Sequence, residues 1–365
     1  MNKLPDAVVA RIFRFSGGYP LKDVFTPRDP LYPLARRELY RSIKVPARSR
    51  GSPCPFPEQY RDCVESLEFT YWSRVELFPV NIDAYTHLST LEVFENKHRA
   101  SGIQGLLQSG LHIPTMTDLA FWNCVSFSFI HSHHRQLHSL SIMGISLARI
   151  LLDGAGRVFP SNWLPNLHTL LVDDDTVSTF KHLRTEIAQP INGLRTLHLV
   201  VRRHYSSMSL EIFLNMMVSK LDSVVLVCCS RDPEYTHKAC LLQFADGVSQ
   251  FPVLRTLTEF SYLVAPYHTT PDEYVSGLAV SIYGIRAYNS LTLKRISIHY
   301  QHSPHRPLPG WLTPQHEHQF FRSIFGAYRG NALSFRILDG TRTFLNRSTW
   351  DGPEWNKLYI PELRP

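Results

Sequence analysis

The sequence predicts an α/β solenoid, in which short strands and helices alternate and the strands form a parallel sheet along a concave face. Three observations support this fold class. A phrase of apolar residues at positions 1, 4 and 6 recurs along the chain, its copies follow one another at similar intervals, and Ser or Thr usually precedes the middle apolar residue. A small helical segment precedes the repeats. Single matches to the phrase are expected by chance at 44% hydrophobic residues, so the regular order carries the prediction.

The middle apolar residues of the copies set the period. Their first seven intervals are 24, 28, 21, 30, 27, 27 and 33 residues, close to the period of about 20–29 residues in leucine-rich repeats. We therefore expect about ten irregular repeats over residues 59–365, forming a horseshoe-shaped leucine-rich-repeat solenoid. The middle residues are Leu67, Leu91, Leu119, Leu140, Leu170, Leu197, Val224, Leu257, Ile296 and Phe335.

Further residues support the repeat. Ser or Thr stands before the middle residue in seven of the first eight copies. Cys124 and Cys229 follow the last apolar residue by three positions, where such a side chain turns inward and hydrogen-bonds the loop backbone. We assign them this structural role rather than redox chemistry. Apolar spacing and capping residues predict helices between the strands, over 177–187, 209–220, 270–285 and 313–330.

The basic character of the chain is confined to its beginning. Residues 1–50 hold 11 Lys and Arg against 4 Asp and Glu, whereas the remaining residues hold 27 of each sign. A neutral body offers no basic groove, so we expect no binding of nucleic acid. The absence of a long apolar run predicts no contact with a membrane, and the cysteine pattern predicts a reducing compartment, the cytoplasm or nucleus. Arg11 and Arg14 in an amphipathic run leave a mitochondrial presequence as the alternative.

The first 45 residues contain two helical candidates, over 4–15 and 33–45, and four prolines mark residues 46–58 as a linker. So few apolar residues cannot form a core of their own, so we expect this segment to lean on another protein. Its first helix carries apolar residues one turn apart after a Leu-Pro pair. These residues are Leu4, Pro5, Val8, Val9, Ile12 and Phe13.

This pattern resembles the start of an F-box, and "RRELYRSIKV" (36–45) resembles the end of the F-box in many fungal F-box/leucine-rich-repeat proteins. The resemblance implies that the residues from Leu4 to Phe13 bind the acidic Skp-type adaptor of an SCF-type cullin–RING ubiquitin ligase. It also implies that the solenoid recruits the target protein. Residues 16–33 hold four prolines where an F-box has its middle helix. The alternative is therefore a leucine-rich-repeat scaffold that no longer binds the adaptor.

We expect no enzyme activity, cofactor or metal, because no catalytic or nucleotide-binding motif is present. "HSHHRQLH" (131–138) lies before a repeat strand without nearby Cys or carboxylate, which favours a solvated loop over a metal site. "DDD" (173–175) follows another strand, which favours a polar turn and helix cap over a calcium site.

The residue after each last apolar position should lie on the concave side of the sheet, because side chains alternate along a strand. Seven of these ten residues are apolar. We predict an exposed target-binding patch with an acidic margin in the first repeats; the alternative is that neighbouring loops bury these side chains. The predicted patch consists of Glu68, Glu92, Phe94, Trp122 and Met143.

Overall fold

The chain divides into two compact units, Met1–Ala155 and Gly156–Pro365, and each is described by itself. The computed structural model describes eleven segments of the chain. These are residues 28–45, 61–71, 85–95, 112–145, 163–180, 191–201, 220–228, 256–264, 295–301, 334–340 and 356–358.

The first unit contains a sheet of parallel strands that pair in the order of the chain. Helix α1 (Tyr32–Tyr40) precedes the first strand, and helix α2 (Phe127–Ser132) connects the last two. The strands are β1 (Ser42–Val45), β2 (Ser66–Tyr71), β3 (Thr90–Glu95), β4 (Asp118–Trp122) and β5 (Ser139–Met143).

The second unit repeats this arrangement. Its first six strands are parallel and pair in chain order, and a short final strand pairs antiparallel. The strands are β6 (Thr169–Asp173), β7 (Thr196–Val201), β8 (Ser223–Cys228), β9 (Glu259–Val264), β10 (Arg295–Gln301), β11 (Ser334–Gly340) and β12 (Asn356–Leu358). Helix α3 (Asp174–Phe180) follows β6 and includes residues 177–180 of the helix expected over 177–187, whose remaining residues lie outside the described part of the chain. Within each unit the strands follow the solenoid-like order that the sequence predicts.

The apolar phrase marks the buried face of the sheet. Leu67, Leu91, Leu119 and Leu140 are register partners on successive strands, and all are at most 1% exposed. Val93, Phe121 and Ile142, two positions later on β3, β4 and β5, are also at most 1% exposed, and we call this the core face. Each leucine buried in this way stabilises the fold by about 1.5–3 kcal/mol relative to an exposed one.

A recurring pair of hydrogen bonds sets the start of strands β2 to β5, β7 and β8. The carbonyl two residues before the middle apolar residue accepts the N–H groups of two successive residues in the next repeat. Glu65 O accepts from Ser89 N and Thr90 N at 2.9 and 3.0 Å, and Ser89 O accepts from Thr117 N and Asp118 N. The same pair occurs in the second unit, at His168 O and Arg195 O. Because both lone pairs of the carbonyl are used, neighbouring repeats are held in one register.

The turns before β3, β4, β6 and β7 each carry a buried apolar residue that the repeat phrase does not include. In four repeats the carbonyl of this residue accepts the N–H of the first residue of the phrase, three positions later, at 3.2 Å. The residues are Tyr85, Ile113, Leu164 and Ile191, and each is at most 3% exposed. They extend the core beneath the ends of the strands.

The register of β9 differs from the prediction. The sequence placed Leu257 as the middle residue of its repeat, but Val224 pairs with Phe260. Leu257, fully buried, is therefore the first residue of the phrase. A side-chain bond agrees with this register, because Thr256 Oγ1 donates to Leu221 O at 2.7 Å just as Thr115 Oγ1 donates to Leu88 O. Leu254 and Leu257 match the apolar spacing by chance.

The predicted end of the helix over 33–45 is also wrong. It ends at Tyr40, and Ser42–Val45 forms β1, which pairs with β2 and belongs to the sheet. The β-branched Ile43 and Val45 favour this strand. The helix expected over 4–15, the linker 46–58 and the helices expected over 270–285 and 313–330 lie outside the described residues, as does the helix expected over 209–220 except for Lys220.

Basic side chains on and just after α1 fix this helix to the turn before β2. Arg41 Nε lies 2.5 Å from Glu65 Oε2 and Arg37 Nη2 lies 3.2 Å from Glu65 Oε1, while Arg36 Nη2 lies 3.3 Å from Asp62 Oδ1. Burial would raise the pKa of Glu65, but hydrogen bonds from Arg41 and Arg37 outweigh it and lower the pKa. Part of the basic charge of the N-terminal segment is thus used within the chain.

Gly193 lies where two neighbouring turns approach each other closely, so a substitution at Gly193 tests the distance between these turns. A Cβ atom there would lie 2.7 Å from Pro165 O and 3.1 Å from Leu167 O, which are backbone atoms of the preceding repeat. We expect Gly193→Ala to lower the free energy of unfolding by about 1–3 kcal/mol, the usual cost of overpacking. Urea denaturation measures this change.

The adjacent, exposed Asn192 provides the control. We expect Asn192→Ala to change the free energy of unfolding by less than about 0.5 kcal/mol. Equal effects of the two substitutions would contradict this close approach of the turns.

Candidate functional site

The candidate site lies on the side of the first unit's sheet opposite the core face, which we call the front face. Glu92 and Phe94 alternate with the core residues of β3, so their side chains leave the sheet on this side. Trp122 pairs with Phe94 in the register of the strands, and Met143 pairs with Trp122. Two residues earlier on strands β2 to β5, a second row is formed by Glu68, Glu92, Ala120 and Ser141.

An aromatic stack occupies the centre of the front face. The rings of Phe94 and Trp122 have centroids 5.0 Å apart and planes inclined by 9°. This distance follows from the fold, because neighbouring strands are about 4.8 Å apart and in-register side chains extend side by side. The stack therefore connects β3 with β4.

The front face is less exposed than predicted. Trp122 is 6% exposed, Met143 1% and Glu92 4%, whereas Phe94 and Glu68 are half-buried. Large in-register side chains cover one another, as the Phe94–Trp122 stack illustrates. The structure brings the five predicted residues onto one face, but Phe94 and Glu68 are the two that reach its surface.

The indole of Trp122 combines burial with an unused donor. Among the residues that the structure describes, Trp122 Nε1 has no hydrogen-bond acceptor. An unsatisfied buried donor costs about 1–3 kcal/mol. This cost would disappear if a bound molecule supplied an acceptor at the front face.

On the front face of the second unit, the residues that correspond to Phe94 and Trp122 are buried, and helix α3 begins directly after one of them. Asp173 and Val200 are register partners and are fully buried. Asp173 Oδ1 accepts hydrogen bonds from the amide and hydroxyl of Thr176, at 2.9 and 2.5 Å. This confirms the predicted helix cap for "DDD". The carboxylate oxygens of Asp173, Asp174 and Asp175 lie within 4.8 Å of one another.

The prediction of a solvated loop for the histidine-rich segment is wrong for His133, whereas His131 and His138 are exposed. Ser126 caps α2 by accepting from Phe129 N, and the helix places His133 in the core at 1% exposure. His133 Nε2 accepts from Ile113 N at 2.9 Å, and Nδ1 donates to Phe129 O at 2.8 Å. The imidazole thus satisfies backbone groups of two segments. Its Ser126 cap was the sequence signal for this helix.

Cys124 has the structural role that the repeat predicted. Its side chain is buried, and Sγ lies 3.5 Å from Val93 O, on the neighbouring strand. Cys229 lies outside the described residues.

The predicted adaptor-binding residues are likewise outside the described part of the chain. They are Leu4, Pro5, Val8, Val9, Ile12 and Phe13. No helix among the described residues is long and apolar enough to cross a membrane.

Comparisons with known proteins give no match, since neither a protein-family model nor a curated protein is similar to this chain.

Substitutions at Trp122 separate its packing from its hydrogen bonding. We expect Trp122→Ala to lower the free energy of unfolding by about 3–5 kcal/mol, because it removes a buried indole. Trp122→Phe keeps an aromatic ring against Phe94 and removes no hydrogen bond that the structure describes. It should therefore lower the free energy of unfolding by less than half as much as Trp122→Ala. Chemical denaturation compares the two. Equal costs would mean that the indole N–H has a partner that matters for folding.

His133 makes stability depend on pH. Burial, together with the nearby His112, lowers the pKa of His133 to about 4, although its hydrogen bond to Phe129 O opposes this shift. The unfolded chain, with a pKa near 6.5, takes up the proton first as the pH falls. The stabilising contribution is therefore full above about pH 6.5 and is lost towards pH 4, by about 3 kcal/mol.

Denaturation of the wild type and of His133→Gln between pH 4 and pH 7.5 checks this. The variant should lack this part of the pH dependence. Parallel profiles for the two proteins would show that folding does not lower the pKa of His133.

Proposed function

We propose that the chain is a non-enzymatic recognition subunit of an SCF-type cullin–RING ubiquitin ligase, in which a leucine-rich-repeat solenoid recruits the target protein. One observation supports recruitment above all. The front face of the first unit carries the Phe94–Trp122 stack on a sheet whose opposite face already forms the core. Phe94, the half-buried member of this stack, leaves part of an aromatic ring accessible on the face opposite the core, and accessible aromatic residues are typical of protein-binding sites.

The ligase role rests on the resemblance of residues 1–45 to an F-box. Residues 4–13 place Leu-Pro before apolar pairs one turn apart, which suits insertion of one helix face into a groove of the adaptor. The excess of basic residues over residues 1–50 complements an acidic adaptor and would speed association.

The second candidate, a repeat scaffold without adaptor binding, is favoured by the position of α1. Arg37 and Arg41 bind Glu65, and β1 joins the sheet directly after α1. Residues 32–45 therefore act as the first part of the repeat array. An adaptor would have to bind the chain that precedes α1.

Co-expression with a Skp-type adaptor distinguishes the two functions. We expect the wild-type chain to co-purify with the adaptor, and the double variant Ile12→Asp, Phe13→Asp to lose at least about tenfold of the captured adaptor, because two charges cannot be buried in an apolar interface. Thr86→Asp with His87→Asp is the matched control, since both residues are exposed in the turn before β3.

The control should capture as much adaptor as the wild type. Failure of the wild type to capture any adaptor would contradict the ligase role and leave the scaffold as the function.

A further inference from the structure

We propose that Asn192 is a site of spontaneous covalent modification, where deamidation produces aspartate and isoaspartate and the isoaspartate form loosens the start of β7. Asn192 and Gly193 form the one Asn-Gly pair of the sequence, in the turn 191–194 before that strand. Asparagine is among the thermolabile residues. The proposal concerns the chemistry of this turn and does not depend on the recruiting function.

The reacting groups of the turn are accessible. Asn192 is exposed, and neither its side-chain amide nor the N–H of Gly193 makes a hydrogen bond to another described residue. The hydrogen bond that closes the turn joins Leu194 N to Ile191 O at 3.2 Å. It does not involve the peptide unit between Asn192 and Gly193, so this unit can rotate while the turn stays closed.

Gly193 supplies the nucleophile, its backbone nitrogen. Because glycine has no Cβ atom, this nitrogen can be approached with little steric hindrance. The fold itself favours glycine here, since a Cβ atom would lie 2.7 Å from Pro165 O. The packing of the two turns thus keeps the reactive residue next to Asn192.

The reaction requires only water and a base from the solvent. The base removes the proton of Gly193 N, which attacks Cγ of Asn192. The N–Cγ bond forms, the Cγ–Nδ2 bond breaks, and ammonia leaves with a proton from water. Water then opens the cyclic succinimide at either carbonyl carbon. Opening at Cγ gives aspartate in the original backbone, and opening at the main-chain carbonyl gives isoaspartate, in which the chain runs through Cβ and Cγ.

Isoaspartate adds one carbon atom to the backbone of a turn that has no room for it. Ile191 and Leu194, at the two ends of the turn, are fully buried. Gly193, between them, already lies close to Pro165 O. Cores respond to a change of a single methylene group, so the longer backbone must displace one of the buried ends.

The altered turn lies next to the hydrogen bonds that set the register of β7. Arg195 N and Thr196 N, directly after Leu194, both donate to His168 O at 2.9 Å. Displacement of Leu194 strains this pair of bonds. We therefore expect the isoaspartate form to hold β7 less firmly against β6.

Peptide mapping by mass spectrometry of the full chain, incubated at neutral pH, tests the modification. Asn166 is the internal control, because it lies in the preceding turn and the next residue, Leu167, donates its N–H to Leu164 O at 3.2 Å. We expect Asn192 to convert at least about tenfold faster than Asn166. The rate at Asn192 should rise with pH, because the reaction begins with removal of a proton.

The synthetic peptide INGLR (191–195) gives the rate without the fold. Most folded chains should be converted at Asn192 by the time this peptide has reacted completely. An intact Asn192 at that time would overturn the proposal, because it would show that the turn holds the amide away from Gly193 N. Equal conversion of Asn166 and Asn192 would also overturn it.

Variants separate the longer backbone from the added charge. Chains enriched in isoaspartate at position 192 should unfold at a lower urea concentration than fresh wild type. Asn192→Asp carries the same charge on an unchanged backbone and should unfold like fresh wild type. Asn192→Ser cannot deamidate, and after the same incubation it shows any effect of the Asp-Gly pairs elsewhere in the chain.

Repair provides the last measurement. An isoaspartate methyltransferase with S-adenosylmethionine returns isoaspartate to aspartate, and this treatment should restore the urea midpoint. An unchanged midpoint of the isoaspartate form would overturn the claim that it loosens β7. An equally low midpoint of Asn192→Asp would overturn it too, since the effect would then come from the charge.

Discussion

The paired hydrogen bonds at the start of the strands are the interaction on which the rest of the structure depends. One carbonyl per repeat, such as that of Glu65 or His168, accepts two successive amides of the next repeat. This bond pair fixes the register, and a slip by one residue would move every leucine from the core face to the front face. Burial of the leucines and alignment of the front-face residues are thus two results of one constraint.

The same constraint produces the candidate site. Glu68 and Glu92 become neighbours, and Phe94 stacks on Trp122, because successive strands start at equivalent positions. No long-range contact between distant loops is needed to assemble them. The site therefore belongs to the sheet itself, and its rigidity follows from the buried core behind it. Helix α1 precedes β1 in the chain and is held by Arg37 and Arg41 on Glu65, in the turn before β2.

The parallel order of the strands was predictable, because leucines that recur with a regular period can all be buried on one face only if successive repeats stack in chain order. The register of β9 was not, since Leu254 and Leu257 copy the apolar spacing and the deciding hydrogen bond of Thr256 to Leu221 is long-range. The burial of Trp122 and Met143 could not be predicted from the sequence either. It depends on how neighbouring side chains cover one another, whereas the pattern determines only the face on which each residue lies. His133 was misjudged because its polar neighbours concealed a helix that carries it into the core.

Hydrogen exchange of the amides at the strand starts tests the central claim most directly. The informative amides are those of Ser89 and Thr90, Thr117 and Asp118, and His138 and Ser139, whose acceptors are Glu65 O, Ser89 O and Thr117 O. Both amides of each pair should be protected to a similar degree and lose protection together as urea is added. Rapid exchange of Ser89, Thr117 and His138, with protection confined to the second amide of each pair, would contradict the shared-carbonyl register and the front face built on it.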